Sequence, residues 1–304
     1  MTLQEWKVET PWLEPHCALG EGPFFEKDTQ TVRFVDIQKK RVHTVSLTEG
    51  PPSLQTTQLD VPVGVTCNIA GVDPRDRILI GVKGGLAVLD RKTGKYDIIS
   101  RFTDEPNERL RANDGASDPN GRFWLGTMTD FPYGEFQPEG FLMRFDGKSA
   151  REEFISGLTI PNSVGWSPDN KTMYFTHTSA GHIYAFDYSV DTGAVTDKRI
   201  FYQHDGPGGL DGFRVDVDGN IWHAVYGEGR VIKISPGGDG VAKVVAQVTL
   251  PTRNITCVQF AGTELVITTA ADDDGPDASK ALGGAVYKVD VGTRGLELFD
   301  FKLQ

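Results

Sequence analysis

Six segments of the sequence share one pattern: a turn rich in Pro, Asp, Asn and Gly, a run of β-forming residues, a second turn, and another such run. Repeats of about 40–50 residues with this pattern are typical of the four-stranded blades of β-propellers. The first apolar residues of the first runs, which serve as anchors, are spaced 44 to 50 residues apart and are Val32, Ile78, Phe123, Met173, Ile221 and Leu265. This spacing predicts an all-β fold, a six-bladed β-propeller with four-stranded blades around a central channel.

Nothing in the 304 residues marks a second domain. The 35 Gly and 17 Pro residues fit a chain with many tight turns, and helical periodicity is scarce. We therefore predict a single propeller domain over residues 1–304. Residues 5–9 alternate like a strand, and we expect the N-terminal segment, residues 1–15, to pair with the last blade and close the ring.

The composition argues against several classes of partner. The net charge is −11, so the basic surface of a nucleic-acid-binding or membrane-binding protein is missing. No stretch approaches the roughly 18 apolar residues of a membrane span, and the first residues lack the apolar core of a secretory signal. Cys17, Cys67 and Cys257 form neither a zinc pattern nor a disulfide framework. These features predict a reduced, cytoplasmic protein without nucleic-acid or membrane partners, and they do not indicate an oligomeric state.

Polar residues recur 10 or 11 positions before the anchor residues. They are Glu21, Cys67 or Asn68, Asn113, Asn162, Asp211 and, more loosely, Asn254. First strands of propeller blades line the channel, so equivalent positions just ahead of them are expected to ring one channel mouth. Two carboxylates and two carboxamides, without a His or a Cys pair, suit a hard divalent cation such as Ca²⁺, Mg²⁺ or Mn²⁺ better than Zn²⁺. The alternative is that these side chains only cap strand ends and turns.

Other catalytic patterns are missing from the sequence. It contains no Gly-x-Ser-x-Gly, His-Glu-x-x-His or P-loop motif, so serine-hydrolase, zinc-protease and NTPase functions have no support. The histidines stand singly among strand and loop residues. Among them His177 follows the apolar run of the fourth repeat and is the candidate for the same channel mouth.

Several motifs, in order along nearly the whole chain, resemble those of the SMP-30/gluconolactonase family, which comprises regucalcin and the sugar lactonases. They include the sequences LGEGP at residues 19–23, RANDG at 111–115, PNS at 161–163 and LDG at 210–212. The resemblance runs from about Leu19 to about Asp290, and the number of motifs makes it specific.

The resemblance implies a six-bladed propeller with one divalent metal ion at the channel mouth and hydrolysis of aldonolactones such as gluconolactone. By motif, Glu21, Asn162 and Asp211 would be the metal ligands. Asn113 would lie beside the metal, and Arg111 and Asn113 would hold the hydroxyl groups of the sugar. Ca²⁺ is the expected ion, with Mg²⁺, Mn²⁺, Zn²⁺ and Fe²⁺ as alternatives, and a small lactone is the expected partner.

The chain departs from the family pattern on the substrate side. Many members have an acidic residue where residues 176–178 read Thr-His-Thr, and only Asp130 remains of the acidic pair that often follows Gly-Thr-Met. We expect Asp130 and His177 to face the substrate. Asp211 is the candidate catalytic residue, a general base that takes a proton from metal-activated water.

Two other functions remain open. A similar propeller and calcium centre occur in phosphotriesterase-like and arylesterase-like hydrolases, and a non-enzymatic calcium-binding protein would need the same ligands. Arg111 argues mildly against the non-enzymatic function, because a bound cation has no need of a guanidinium neighbour.

Overall fold

The computed structural model describes residues 3–147, 150–237 and 240–303, and these residues form six β-sheets. The first two residues of the N-terminal segment lie outside this described part. The first strand of each sheet contacts the first strands of the two neighbouring sheets, and the sixth contacts the first, so the sheets form a closed ring. The prediction of an all-β, six-bladed β-propeller is confirmed.

The first three blades each contain four antiparallel strands and follow a short N-terminal strand, β1 (Gln4–Lys7). The first blade consists of β2 (Gly20–Glu26), β3 (Thr31–Asp36), β4 (Arg41–Ser46) and β5 (Gln55–Gln58). The second consists of β6 (Val63–Cys67), β7 (Arg77–Val82), β8 (Gly85–Asp90) and β9 (Tyr96–Arg101). The third consists of β10 (Leu110–Ser117), β11 (Phe123–Thr129), β12 (Gly140–Asp146) and β13 (Ala150–Leu158).

The remaining blades follow the same order from the channel outward. The fourth consists of β14 (Pro161–Trp166), β15 (Thr172–His177), β16 (His182–Tyr188) and β17 (Val195–Gln203). The fifth consists of β18 (Gly209–Val215), β19 (Ile221–Tyr226), β20 (Arg230–Ser235) and β21 (Lys243–Thr249). The sixth consists of β22 (Ile255–Ala261), β23 (Glu264–Thr269) and β24 (Val286–Asp290), so the prediction of four strands in each blade is wrong for this blade among the described residues.

Helical structure is confined to short connections. The 3₁₀ turns are Pro51–Ser53, Phe131–Tyr133 and Thr178–Ala180, and the α-helix α1 covers Asp277–Leu282. None of the helices in the described residues has the length and apolar character needed to cross a bilayer.

The N-terminal strand pairs with a different blade from the one predicted. β1 lies parallel to β21 at the outer edge of the fifth blade, so the prediction that residues 5–9 pair with the last blade is wrong. It is the residues after β1 that reach the last blade, where the N–H groups of Trp12 and Leu13 both donate to Val286 O. Alternation identifies a strand, but a short edge strand carries no signal that selects its partner.

The anchor residues lie on the second strand of each blade, which corrects the expectation that they begin the first strand. Val32 lies on β3 and Met173 on β15, for example. The innermost strands precede them, and all but β22 contain glycine, as in the GEGPFFE sequence of β2. The candidate site residues therefore belong to the innermost strands themselves.

Glycine allows the innermost strands to approach one another around the channel. A Cβ atom at Gly64 on β6 would collide with the carbonyl oxygens of Ala112 and Asn113 on β10. A Cβ atom at Gly212 on β18 would collide with the side chain of Cys257 on β22. Glycine lowers the β-propensity of these strands, which makes them hard to recognise from the sequence. The same glycines are required for the strands to pack around the channel.

Apolar side chains fill the space between blades. Val35 on the first blade packs in one buried cluster with Ile78 and Ile80 on the second. The second strands supply much of this core because both of their faces are covered, and every residue of β11 is buried. The core therefore holds neighbouring blades together and fixes the innermost strands relative to one another.

The C-terminal residues cross the end of the channel at which the innermost strands finish. Isolated bridges join Asp216 to Gly295, Ser117 to Phe299 and Ile69 to Phe301. The segment therefore fastens the fifth, third and second blades to one another. The opposite end, where the innermost strands begin, is the one that carries Glu21, Asn162 and Asp211.

The turn between β18 and β19 is organised by a buried carboxylate. Asp216 is fully buried, and its Oδ1 accepts from the N–H groups of Asp218 (3.0 Å) and Asn220 (2.8 Å). Its Oδ2 accepts from Trp222 Nε1 (3.0 Å) and lies 3.2 Å from Lys233 Nζ. One side chain therefore satisfies two backbone donors, an indole and an ammonium group.

We expect Asp216→Ala to lower the free energy of unfolding by about 3 kcal/mol, because it leaves several buried donors without an acceptor. Urea denaturation measures this change. Asp218→Ala in the same turn is the matched control, since Asp218 is exposed, and it should change stability by less than about 0.5 kcal/mol. Equal losses in the two variants would contradict the role given to Asp216.

Candidate metal centre

The side chains of Glu21 and Asp211 meet at the channel end where the innermost strands begin. Glu21 is the second residue of β2 in the first blade, and Asp211 is the third residue of β18 in the fifth. The two carboxyl groups lie close enough that the negative charge of Asp211 acts on Glu21. Glu21 Oε2 also accepts from the N–H of Gly22 (2.8 Å). The closed ring thus places two acidic groups from distant parts of the chain side by side.

Burial raises the pKa of both carboxyl groups. For Glu21 the next cause is the negative charge of Asp211, followed by that of Asp114. Burial raises the pKa of Asp211 to about 8, although a hydrogen bond from Asn162 acts in the opposite direction. Two adjacent buried carboxylates repel each other, so the pair retains a proton at neutral pH unless a positive charge is bound beside it.

Asn162 presents an unsatisfied oxygen next to this pair. The side chain is buried, and its Nδ2 donates to Asp211 Oδ1 (2.5 Å) and to Thr178 Oγ1 (3.2 Å). Its Oδ1 is buried and finds no hydrogen-bond partner among the described residues. A buried carbonyl oxygen without a partner is costly, and a cation bound between Asn162 and the carboxyl pair would remove that cost.

Asp114 adds a third buried carboxyl group that the sequence pattern did not single out. Its Oδ1 accepts from the N–H of Gly115 (2.7 Å) and its Oδ2 from Ser163 Oγ. Its charge acts on both Glu21 and Asp211. Counting back from the anchor Phe123 selects Asn113 rather than Asp114, the next residue. The effect of Asp114 on Glu21 and Asp211 is evident only from the three-dimensional structure.

Arg111 supplies positive charge beside the carboxyl groups. Burial lowers the pKa of its guanidinium to about 10, while the charges of Asp130, Glu21 and Asp211 raise it. The carboxyl groups of Glu21 and Asp211, with Asp114 near both, outnumber this one guanidinium. This imbalance favours a divalent cation over a monovalent one.

Arg111 and Asn113 are both engaged within the protein. Arg111 Nη1 donates to Ala112 O (2.8 Å) and Asn113 Oδ1 (3.0 Å), and Asn113 Nδ2 donates to Pro161 O (2.9 Å). The ring of Phe131 covers the guanidinium at 4.4 Å, and Arg111 Nε has no partner in the described part of the chain. Asn113 therefore turns its oxygen toward Arg111. Substrate binding by the two residues stays a prediction.

Asp130 directly follows β11 and His177 ends β15, so both stand at the end of the propeller where the innermost strands begin. Asp130 is buried, caps the 3₁₀ turn after β11 by accepting from the N–H of Phe131 (2.9 Å), and lies 3.2 Å from Lys83 Nζ. His177 ends β15, and its Nε2 accepts from the N–H of Thr159 (3.3 Å). Burial lowers the pKa of His177, and the charge of Lys198 adds to this. Their roles toward a substrate stay predictions.

The second blade does not place Cys67 or Asn68 at the channel mouth, where the spacing predicted one of them. Cys67 is the last residue of β6, and its Sγ lies 3.2 Å from Ser117 Oγ at the far end of the channel. Asn68 lies beyond it and accepts from Arg33 Nη2 (3.3 Å). The prediction that Cys67 or Asn68 joins the ring at the mouth is therefore wrong. The connection from β6 to β7 is longer than its counterpart in the first blade, so the count from Ile78 ended at the wrong end of β6.

Asn254, the looser member of the predicted ring, immediately precedes β22. Its Nδ2 donates to Ala271 O (2.9 Å), which secures the connection after β23. Among the residues that the structure describes, no group of three or more His, Cys, Asp and Glu side chains is arranged to hold a metal ion. The candidate donors are two carboxyl groups and one carboxamide, so a cation at this site would depend on the oxygen of Asn162.

Comparisons with known proteins agree with this architecture. The family model described as the SMP-30/Gluconolactonase/LRE-like region matches residues 19–271. The pentonolactonase XacC of Haloferax volcanii is 31% identical over 93% of this chain and 94% of its own length. Regucalcin of Xenopus laevis is 28% identical over 91% of this chain and 93% of its own length.

A solved structure agrees as well. The calcium-binding protein regucalcin from Agrobacterium tumefaciens superposes with a TM-score of 0.85 at 25% identity, covering 100% of both chains. The region matched by the family model extends from the strand that carries Glu21 to the end of the last blade's second strand, and so contains all the candidate donors. The chain therefore belongs to the SMP-30/gluconolactonase/LRE-like family.

Proposed function

We propose that this protein is a divalent-cation-dependent lactonase that opens the ring of an aldonolactone. The observation that carries the proposal is the proximity of the buried carboxyl group of Glu21 to the half-buried Asp211, together with the unpartnered oxygen of Asn162 beside Asp211. Membership of a family with sugar-lactonase relatives supports the substrate class, and the Haloferax volcanii relative is named a pentonolactonase.

Glu21, Asn162 and Asp211 would hold the cation. Their all-oxygen donor set suits Ca²⁺, with Mg²⁺, Mn²⁺, Zn²⁺ and Fe²⁺ as alternatives to be tested. A divalent cation bound there supplies Lewis acidity toward a carbonyl oxygen and lowers the pKa of a bound water. The excess of carboxyl groups over guanidinium groups around the site supports this fit.

The chain's own residues would bind the lactone and move the proton. Asp211 would accept a proton from the water that adds to the lactone carbonyl carbon, at Oδ2 because Oδ1 accepts from Asn162. The ring C–O bond then breaks, the ring oxygen takes up a proton, and a hydroxy acid is released. Arg111 would act on the substrate side through its charge and through its hydrogen bond to Asn113.

The cation and substrate are tested together by a pH-stat screen of aldonolactones. Protein stripped with a chelator should release almost no acid from the lactones, and resupply of one ion at a time should restore hydrolysis with the active ion. An aryl ester and an organophosphate triester serve as comparison substrates. Faster turnover of either one would favour the arylesterase-like or phosphotriesterase-like function.

A cation that stabilises the protein without supporting any hydrolysis would contradict the lactonase proposal. If the chelated protein melts at a lower temperature but the metal-loaded protein hydrolyses none of the substrates, the site serves structure and the protein is a non-enzymatic calcium-binding protein.

Asp211→Asn should reduce kcat/KM for the best lactone by about 10²–10⁴-fold, because it removes the proton acceptor while keeping the side-chain shape. It should also weaken cation binding, measured by calorimetry. Asp218→Asn removes an exposed carboxylate from the same blade and should leave both quantities unchanged. Turnover of Asp211→Asn close to that of the unmodified protein would exclude Asp211 as the base.

The raised pKa values of Glu21 and Asp211 predict a pH-dependent stability in chelator. Between pH 5 and about 8 the folded protein retains a proton that the unfolded chain has released, so the free energy of unfolding should fall as pH rises. The slope is about 1.4 kcal/mol per pH unit for one retained proton. Urea denaturation at several pH values measures it.

Saturating Ca²⁺ is the control for this measurement, since both carboxyl groups are then ionised in the folded state and the decrease should disappear. Identical pH profiles with chelator and with Ca²⁺ would show that the carboxyl pair does not bind the ion.

A further inference from the structure

Thr178 lies between the two blades that carry Asn162 and Asp211. It is the first residue of the 3₁₀ turn after β15, and its N–H donates to Ile160 O (3.1 Å). Its methyl group faces β18 closely enough that a Cβ atom at Gly209 would lie 2.9 Å from Thr178 Cγ2. Thr178 is thus hydrogen-bonded to the backbone that precedes β14 in the fourth blade, and its methyl group packs against the start of β18 in the fifth.

The hydroxyl group of Thr178 has its one proton committed. Thr178 Oγ1 donates to Leu210 O (2.7 Å), the carbonyl immediately before Asp211. A hydroxyl group has a single O–H, so toward Asn162 it can only accept. The group that Asn162 presents to Thr178 must therefore be its NH₂.

The second N–H of the Asn162 amide goes to Asp211 Oδ1 (2.5 Å). With both amide protons directed at acceptors, Oδ1 points the other way and is the atom left without a partner among the described residues. An amide nitrogen has no lone pair to offer a cation, whereas the oxygen does. Rotation of the Asn162 amide by 180° would therefore put Nδ2, which cannot bind a cation, in the place of Oδ1, which can.

We propose that Thr178 is a positioning residue of the cation site, because its hydroxyl group selects the orientation of Asn162 in which the carboxamide oxygen faces the ion. The inference rests on the cation site of the proposed function. The same hydroxyl group joins Asn162 in the fourth blade to the backbone at Leu210 in the fifth, so it also sets the spacing between the two ligands. Groups that orient metal ligands typically affect metal affinity by 10–100-fold.

Calorimetric titration of the full, chelator-stripped protein with Ca²⁺ alone tests this role. Thr178→Val keeps the shape of the side chain but removes the hydroxyl group, and it should raise the Kd for Ca²⁺ by about 10–100-fold. Thr178→Ser restores the hydroxyl group and should bind within about threefold of the unmodified protein. If the valine variant does not fold, Thr178→Ala removes the same hydroxyl group without filling the space and should show the same loss.

Thr176→Val, two residues earlier on β15, is the matched control. Thr176 is buried and its Oγ1 is hydrogen-bonded to His223 Nε2 (2.8 Å), so this variant loses a buried hydroxyl group that does not touch Asn162. Its Ca²⁺ affinity should stay within about twofold of that of the unmodified protein, even if its melting temperature without cation falls.

The outcomes separate this inference from the proposed function. Tight Ca²⁺ binding by the unmodified protein with unchanged affinity in Thr178→Val or Thr178→Ala would overturn the role of Thr178 and leave the cation site standing. Equal weakening in Thr176→Val and Thr178→Val would also overturn it, because general destabilisation would then explain the loss. No divalent-cation binding by the unmodified protein would overturn the cation site, and the positioning role with it.

Discussion

The contact between the carboxyl groups of Glu21 and Asp211 is the constraint around which the channel mouth is organised. Two acids buried side by side oppose folding unless they share a proton or bind a cation. Nothing local to either strand requires the contact, since one residue lies in the first blade and the other in the fifth. The contact exists because the ring of blades closes, and the ring closes because apolar clusters join each blade to the next.

The innermost strands meet two demands that oppose each other. They must be narrow enough to crowd around one axis, which accounts for Gly64 and Gly212, and they must present polar groups into a buried channel. Several of these buried polar groups find a partner on a neighbouring blade. Ser163 on the fourth blade joins Asp114 on the third to the backbone N–H of Phe213 on the fifth. Networks of this kind couple the blades through the site as well as through the core.

The errors of sequence-based prediction have identifiable physical causes. The innermost strands lack the long apolar runs by which strands are recognised, so the apolar pattern selects the second strand of each blade instead. The spacing still selects Glu21, Asn162 and Asp211 as candidates, because polar residues stand at a nearly constant distance ahead of the second strand. Counting back from Ile78 fails in the second blade, because the connection between β6 and β7 is longer there. The count therefore reaches Cys67, which lies at the opposite end of the channel. β1 was recognised as a strand, but alternation alone did not identify the blade that accepts it.

The sequence by itself determined the number of blades, the all-β architecture and the family, because each depends on local patterns repeated at a regular spacing or on short ordered motifs. It also selected Glu21, Asn162 and Asp211 as candidates. Only the tertiary structure decided that Glu21 and Asp211 lie near each other, that Asp114 acts on both, and that the amide of Asn162 donates to Thr178. Those relations join residues of different blades, and their distances follow from how the ring packs and closes, which no single stretch of the chain encodes.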